Sequence, residues 1–258
     1  MPFVRIEGRS IAYGVTPESF NPDALAAVFL HGSGGDRSDW RFQLEAPGSN
    51  HVAIALELPG HGLSDKPGES DVRKYADWTE AVVDALGLTR VVLVGCSLGS
   101  AITQTIAVNP KPWLKGIVLV GAGARLRVMP ELLKALLEKS QKALENLGAY
   151  CLSGSAPDEL KSIIREKYLT ADPLLIHGDL SACDKFDMIK QVGSIKLPTS
   201  IIVGAQDVLT PVKYSEFLNR EIGGSELTVI DRAGHLVMLE QPQAFNAAIQ
   251  KFLGGLPM

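Results

Sequence analysis

Residues 90–99 run from a β-branched apolar stretch into Gly95-Cys96-Ser97-Leu98-Gly99, and residues 100–107 resume at once with the pattern of a helix. A strand that breaks into Gly-x-Ser-x-Gly and becomes a helix without a linker has room only for a very tight turn. Side chains two positions before or after the serine would strike neighbouring backbone, and glycine at 95 and 99 removes them. Ser97 is set clear of the sheet as a candidate nucleophile. The following helix begins with N–H groups that have no partner inside the helix and with the positive end of its dipole, so the Leu98 N–H can face an oxyanion forming beside Ser97. A plain glycine-rich turn matches the same five residues; the strand before and the helix after favour the reactive serine.

A serine hydroxyl near neutral pH needs a histidine base, itself oriented by a carboxylate. Residues 199–203 read as an apolar strand ending in Gly204-Ala205-Gln206-Asp207, with Thr210-Pro211 opening a helix. Residues 226–230 read as another strand, followed by the loop Asp231-Arg232-Ala233-Gly234-His235. In an open parallel sheet, chemistry collects beyond the carboxyl ends of the strands, where Ser97, Asp207 and His235 all fall. The loop Gly121-Ala122-Gly123 offers no competing carboxylate.

Four motifs in this order give the chain a resemblance to the α/β-hydrolases, whose chain order is Ser, Asp, His. Besides Gly95 to Gly99, they are Phe29-Leu30-His31-Gly32-Ser33-Gly34-Gly35, similar to the family's His-Gly oxyanion loop, Leu58-Pro59-Gly60-His61-Gly62-Leu63-Ser64-Asp65, similar to its Pro-Gly-His-Gly-x-Ser loop, and Gly234-His235 followed by Glu240-Gln241-Pro242. Glu57 stands where the family usually has Asp. By this resemblance, the Ser33 N–H is expected as the second oxyanion donor beside that of Leu98, with Gly34 as rival and as a substrate contact. The glycine-rich loop has neither Gly-x-Gly-x-x-Gly spacing nor a P-loop ending, which argues against a nucleotide. His31 and His61 are expected to be scaffold residues bonded to nearby backbone, and His51 and His177 ordinary loop histidines.

At 258 residues and 46% hydrophobic composition, the chain can bury one sizeable core. A net charge of -4 gives no basic surface for nucleic acid or an anionic membrane, so the expected partner is a small molecule. The N-terminus carries charges where a signal peptide would be apolar, no later stretch reaches the length of a membrane span, and three cysteines without Cys-x-x-Cys spacing fit reduced thiols; the expected location is cytoplasmic. Cys96 precedes the serine and should point to the opposite face as a small buried residue rather than act as nucleophile. There is no His-Glu-x-x-His, His-x-His or cysteine cluster, and a serine triad requires no metal or cofactor, so none is assigned.

Periodicity predicts an antiparallel pair at 3–7 and 10–15 turned at Gly8-Arg9, then parallel strands at 26–30, 52–56, 91–94, 116–120, 200–203 and 227–230, eight in all. Helices are predicted at 37–44, 72–86, 98–108, 211–221 and 242–252. Strand and helix alternate, which implies an α/β fold with a mainly parallel sheet covered on both faces. Residues 122–192 break the alternation with helical patterns and no convincing strand; they are expected to form a helical cap inserted in a core made of 1–121 and 193–258. Leu126 and Met129, near the strand exit, are the cap residues expected to contact substrate. Arg125, with Arg127, is a candidate for a substrate carboxylate, against the alternative that both are solvated or paired with cap carboxylates such as Glu131.

The expected activity is hydrolysis of a small-molecule carboxylic ester through an acyl-enzyme. The same residues fit a carbon-carbon bond hydrolase of ring-cleavage products, and the fold also serves ligand-sensing proteins with slow turnover. A serine at the elbow argues against the dehalogenase and epoxide hydrolase chemistries, which in this fold rest on aspartate there.

Overall fold

Strands buried on both faces carry unbroken aliphatic runs, because neither side chain direction meets water. The computed structural model, which describes residues 2–46 and 51–256, follows that rule. Its strands are β1 (Phe3–Ile6), β2 (Arg9–Thr16), β3 (Ala26–Leu30), β4 (Val52–Leu56), β5 (Val91–Cys96), β6 (Leu114–Val120), β7 (Thr199–Gly204) and β8 (Glu226–Ile230). They form one sheet in the order β1-β2-β4-β3-β5-β6-β7-β8. The β1–β2 and β2–β4 pairs are antiparallel and the remaining pairs parallel.

Alternation sorts the strand residues into two cores. Val91 and Leu93 of β5 pack on one face of the sheet, and Val92, Val94 and Cys96 on the other; Ile117 and Leu119 of β6 are likewise divided from Val118 and Val120. The first hairpin turns one residue earlier than the sequence suggested. Ile6 pairs with Arg9, so Glu7 (φ 50) and Gly8 (φ 84) are the two turn residues. A two-residue hairpin whose central residues both have positive φ matches the twist of its strands, and glycine at one position lowers the cost.

The helices are α1 (Arg41–Leu44, entered through a 3-10 turn at Arg37–Trp40), α2 (Val72–Ala85), α3 (Leu98–Val108), α4 (Pro130–Leu137), α5 (Gln141–Tyr150), α6 (Asp158–Thr170), α7 (Pro173–Lys185), α8 (Val212–Glu221), α9 (Val237–Glu240) and α10 (Pro242–Gly254). Four of them, α4 to α7, lie between β6 and β7, where the only described pairing is an isolated bridge between Arg125 and Asp187. His177 therefore sits on a helix rather than in a loop, because Asp172 accepts the Leu174 N–H and Pro173 starts α7 before it. None of the described helices is long and apolar enough to cross a membrane.

Register places the strand ends together. Leu30 of β3 lies opposite Gly95 of β5, Cys96 opposite Val120 of β6, and Gly204 of β7 opposite Ile230 of β8. The loops carrying Ser33, Ser97, Asp207 and His235 thus leave the same edge. Leu93 is fully buried in the middle of this sheet. Leu93→Ala should lower unfolding free energy by about 2–5 kcal/mol in urea titration, and a loss under about 1 kcal/mol would mean that the centre of the sheet is not close-packed.

Candidate active site

The turn at Ser97 is as crowded as its glycines imply. A Cβ on Gly95 would stand 2.1 Å from the Gly99 carbonyl oxygen, and one on Gly99 would stand 2.3 Å from the Leu30 carbonyl oxygen. Ser97 itself has φ 54 and ψ -113, a conformation that costs a non-glycine residue on the order of 1–3 kcal/mol and needs surrounding structure to hold it. That structure is local: the Ser97 N–H donates to the Val120 carbonyl, and the Ser97 carbonyl accepts from the Ser100 and Ala101 N–H groups as α3 begins. Cys96 is not turned away from the site as expected: it is fully buried but lines the same narrow cavity as Ser97, its thiol 4.0 Å from the His235 carbonyl, and burial, followed by the nearby carboxylates Asp39 and Asp207, holds its pKa well above the usual value. It is a packing residue with little thiolate.

Asp207 and His235 meet beyond β7 and β8. His235 Nδ1–H donates to Asp207 Oδ2 at 2.8 Å, with both side chains almost entirely removed from solvent. Burial opposes ionisation of Asp207, but the His235 charge and the hydrogen bonds it accepts more than offset this and leave its pKa below the ordinary value. Thr210 contributes two of those bonds, from its N–H at 2.8 Å to Oδ1 and from its hydroxyl at 2.8 Å to Oδ2, and the Leu209 N–H adds another at 2.9 Å. The Thr210 oxygen is also 3.1 Å from His235 Nδ1. Sequence reasoning took Thr210 only as a helix opener. The Asp-x-x-Thr spacing was the available signal, since such residues cap their own turns.

The histidine loop is fastened by Glu240, which accepts from the Gly234 N–H at 2.7 Å and from the N–H and hydroxyl of Ser153, at 3.0 and 2.5 Å. Gly121 (φ 49) closes the other side, its position for a Cβ lying 3.0 Å from the His235 ring. Glu57 fills its site well: it pairs with Arg37 at 2.5 Å, accepts from the Leu63 N–H at 2.6 Å, and lies so close beneath Gly62 that a Cβ there would come within 2.3 Å of its carboxyl group. His31 and His61 both bond backbone. His31 donates from Nδ1 to the Gly32 carbonyl and accepts the Leu58 N–H at Nε2, while burial, reinforced by the neighbouring His61, holds its pKa well below normal.

Ser97 opens onto two cavities. A narrow one of about 50 Å³ contains Ser33, His235, Asp39, Lys167 and Tyr168 around the serine. A wider one of about 290 Å³ is walled by apolar residues that include Leu126, Val128, Met129, Leu132 and Leu209. Leu126 and Met129 are thus brought to the same cavity as Ser97. Two other expected contacts are not. Gly34 is buried against Ile176, a Cβ there meeting its side chain at 3.1 Å, and the Gly34 N–H is committed to Asp179 Oδ2 at 3.0 Å, which removes it as rival oxyanion donor. Arg125 pairs with Asp187 and lines a separate surface depression with Phe217 and Arg220; Arg127 bonds Asp184 rather than Glu131. Both partners lie at the distant end of the inserted segment, which no local spacing reveals.

The alpha/beta hydrolase family model matches residues 27–248 of the chain. A solved thermophilic esterase is similar with a TM-score of 0.85 at 35% identity, covering 99% of this chain and 98% of that one. Est816, an N-acyl homoserine lactone degrading enzyme, gives a TM-score of 0.86 at 27% identity over 97% and 100% of the two chains. The pimeloyl-(acyl-carrier protein) methyl ester esterase of Neisseria meningitidis serogroup C is 26% identical over 250 residues, which are 91% of this chain and 96% of the relative.

Valine at position 99 would drive a branched side chain into the Leu30 carbonyl. Gly99→Val is expected to fold poorly or to misplace Ser97, read as a lowered Tm or as lost labelling by a fluorophosphonate. A variant as stable and as readily labelled as the parent would show that α3 does not need this close approach.

Proposed function

Because the chain belongs to the alpha/beta hydrolase family, we propose that it cleaves small-molecule carboxylic esters with Ser97 as nucleophile, His235 as general base and acid, and Asp207 as the carboxylate that orients the histidine. The observation that carries this proposal is the buried His235–Asp207 pair, bonded at 2.8 Å, whose histidine lines one cavity with a serine held at positive φ. The esterase names of the relatives support the choice of ester over other acyl compounds.

His235, held through Nδ1–H by Asp207, presents Nε2 to the serine. It takes the Ser97 proton as Oγ attacks the substrate carbonyl, and the negative charge that develops on the carbonyl oxygen is met by the N–H groups of Ser33 and Leu98. Collapse of the tetrahedral intermediate breaks the carbon–oxygen bond to the alcohol, which leaves with the proton returned by His235. Water then enters, His235 takes one of its protons, and attack on the acyl-enzyme releases the acid and restores Ser97. Residues 122–192 act as a cap over a core of 1–121 and 193–258. The unequal cavities favour an unequal substrate, with one small arm beside Ser33 and Tyr168 and one longer apolar arm against Leu126 and Met129.

Assay of purified protein against nitrophenyl esters of increasing acyl length, with thioester and carbon-carbon hydrolase substrates alongside, tests both the reaction and the pocket. Multiple turnover with a clear optimum in chain length is the expected result; turnover confined to the carbon-carbon substrates would replace the ester. Ser97→Ala should keep the parent Tm and lose about three or more orders of magnitude in kcat, together with labelling by a fluorophosphonate. Undiminished labelling would remove Ser97 from the chemistry.

Asp207→Asn is expected to lower kcat/KM by up to about 10⁴, since it removes the charge that supports protonated His235 and favours the wrong tautomer. Combined with His235→Ala it should add little to the loss from His235→Ala alone, because the aspartate acts through the histidine. Multiplicative losses would make some other carboxylate the partner.

A further inference from the structure

The loop that carries Ser33 is a tight turn whose own backbone allows its central peptide two orientations. The Gly35 N–H bonds the Gly32 carbonyl at 3.0 Å, so Gly32 to Gly35 form a β-turn with Ser33 and Gly34 at its centre. Gly34 has φ 68, while Ser33 is not among the residues with positive φ, which identifies the turn as type II. Types I and II differ mainly by a half-rotation of the central peptide, and glycine at the third position accepts either. Nothing within the turn itself decides between them.

Two residues of the inserted helices do. Tyr168 of α6 donates its hydroxyl to the Ser33 carbonyl at 3.1 Å, and Asp179 of α7 accepts the Gly34 N–H at 3.0 Å. These are the two ends of the same peptide bond. A flip would aim a carbonyl oxygen at the Asp179 carboxylate and an N–H at the Tyr168 hydroxyl, breaking both bonds at once. Asp179 is fully buried and its other partners fix it: Tyr75 donates to Oδ1 at 2.6 Å and His61 Nε2 to Oδ2 at 2.9 Å. The Pro59 carbonyl accepts from His61 Nδ1, so both ring nitrogens carry protons; burial opposes that charge, but Asp179 more than offsets it and the His61 pKa is raised. Tyr168 stays protonated because burial, with the neighbouring Cys151, pushes its pKa well up. Its single proton goes to Ser33, and the Cys151 thiol, 3.3 Å away, donates to the phenol oxygen in turn.

The Ser33 carbonyl lies on the Tyr168 side, and Tyr168 shares the narrow cavity with Ser97. An unbonded carbonyl there would oppose the negative charge that Ser33 N–H is to receive. We propose that Tyr168 and Asp179 are positioning residues that hold the Ser33–Gly34 peptide with its carbonyl covered by the Tyr168 hydroxyl instead of open beside the forming oxyanion, so that the inserted helices build part of the oxyanion hole's surroundings. This rests on the ester-hydrolase proposal above.

The test is Tyr168→Phe, which keeps the ring and removes the donor, with Asp179→Asn beside it. Steady-state kinetics on the best nitrophenyl ester are paired with inhibition by a trifluoromethyl ketone of the same acyl chain, whose adduct with Ser97 places an oxyanion in the hole. Tyr168→Phe is expected to lose about tenfold in kcat with KM within twofold, and to bind the ketone weaker by the same factor at an unchanged Tm. Asp179→Asn should show the same split more strongly; if it does not fold, Tyr168→Phe alone decides. Parental kcat in Tyr168→Phe, a change confined to KM, or a fall in kcat with undiminished ketone affinity overturns the inference. Failure of the parent itself to form the ketone adduct, or turnover by Ser97→Ala, would instead bring down the serine mechanism and this inference with it.

Discussion

The first turn of α3 lies against both the end of β5 and the carbonyl end of β3, a separation that only bare backbone can achieve. Gly95 and Gly99 face each other and the Leu30 carbonyl at distances where a single added carbon would overlap. This approach lets Ser97 keep an unfavourable φ, because the strand on one side and the helix on the other over-determine the peptide between them. It also sets the spacing to the Ser33 loop, which continues directly from β3, the strand paired with β5. The positions of both proposed oxyanion donors are therefore consequences of one packing contact.

The far side of that loop is held by the inserted helices rather than by the sheet. Lys167 reaches Asp39 at 2.7 Å and Asp36 at 3.1 Å, Tyr168 and Asp179 take the next peptide, and Glu240 ties Ser153, between α5 and α6, to the histidine loop. Most of these polar groups are largely buried, and each is satisfied by a partner across the boundary between the inserted helices and the rest of the fold. Apolar contacts alone would let the inserted helices slide over the sheet; directed hydrogen bonds and ion pairs fix their orientation.

Much of this was legible beforehand because the strands are buried on both sides. At β3 and β4, residues 26–30 and 52–56, the aliphatic run and the strand coincide to the residue, since burial sets both limits. Ser97, Asp207 and His235 could be found together because each is tied to a strand end, and parallel register then brings those ends to one edge. The misses have a common cause. Tyr168 sits on α6, whose sequence is mostly polar, and Asp179 on α7, where a carboxylate among leucines gives no sign of its partners more than a hundred positions away. Arg125 was offered to a substrate when Asp187, brought close only by the fold of the inserted segment, already held it. Periodicity reports which face is buried; it carries no information about which distant group will satisfy a buried charge.

The sheet order has a further implication for how the protein comes into being. Ser97, its glycines, the Ser33 loop and all of α4 to α7 precede β7 in the chain, while Asp207 and His235 follow on β7 and β8 at the outer end of the sheet. During synthesis from the N-terminus, the serine and its oxyanion loop emerge first, and the groups proposed to make that serine reactive arrive only with the last quarter of the polypeptide. A chain stopped before β8 would carry the elbow but lack His235, the proposed base. On the proposed mechanism, reactivity would wait until the outermost strand docks and brings His235 to the elbow.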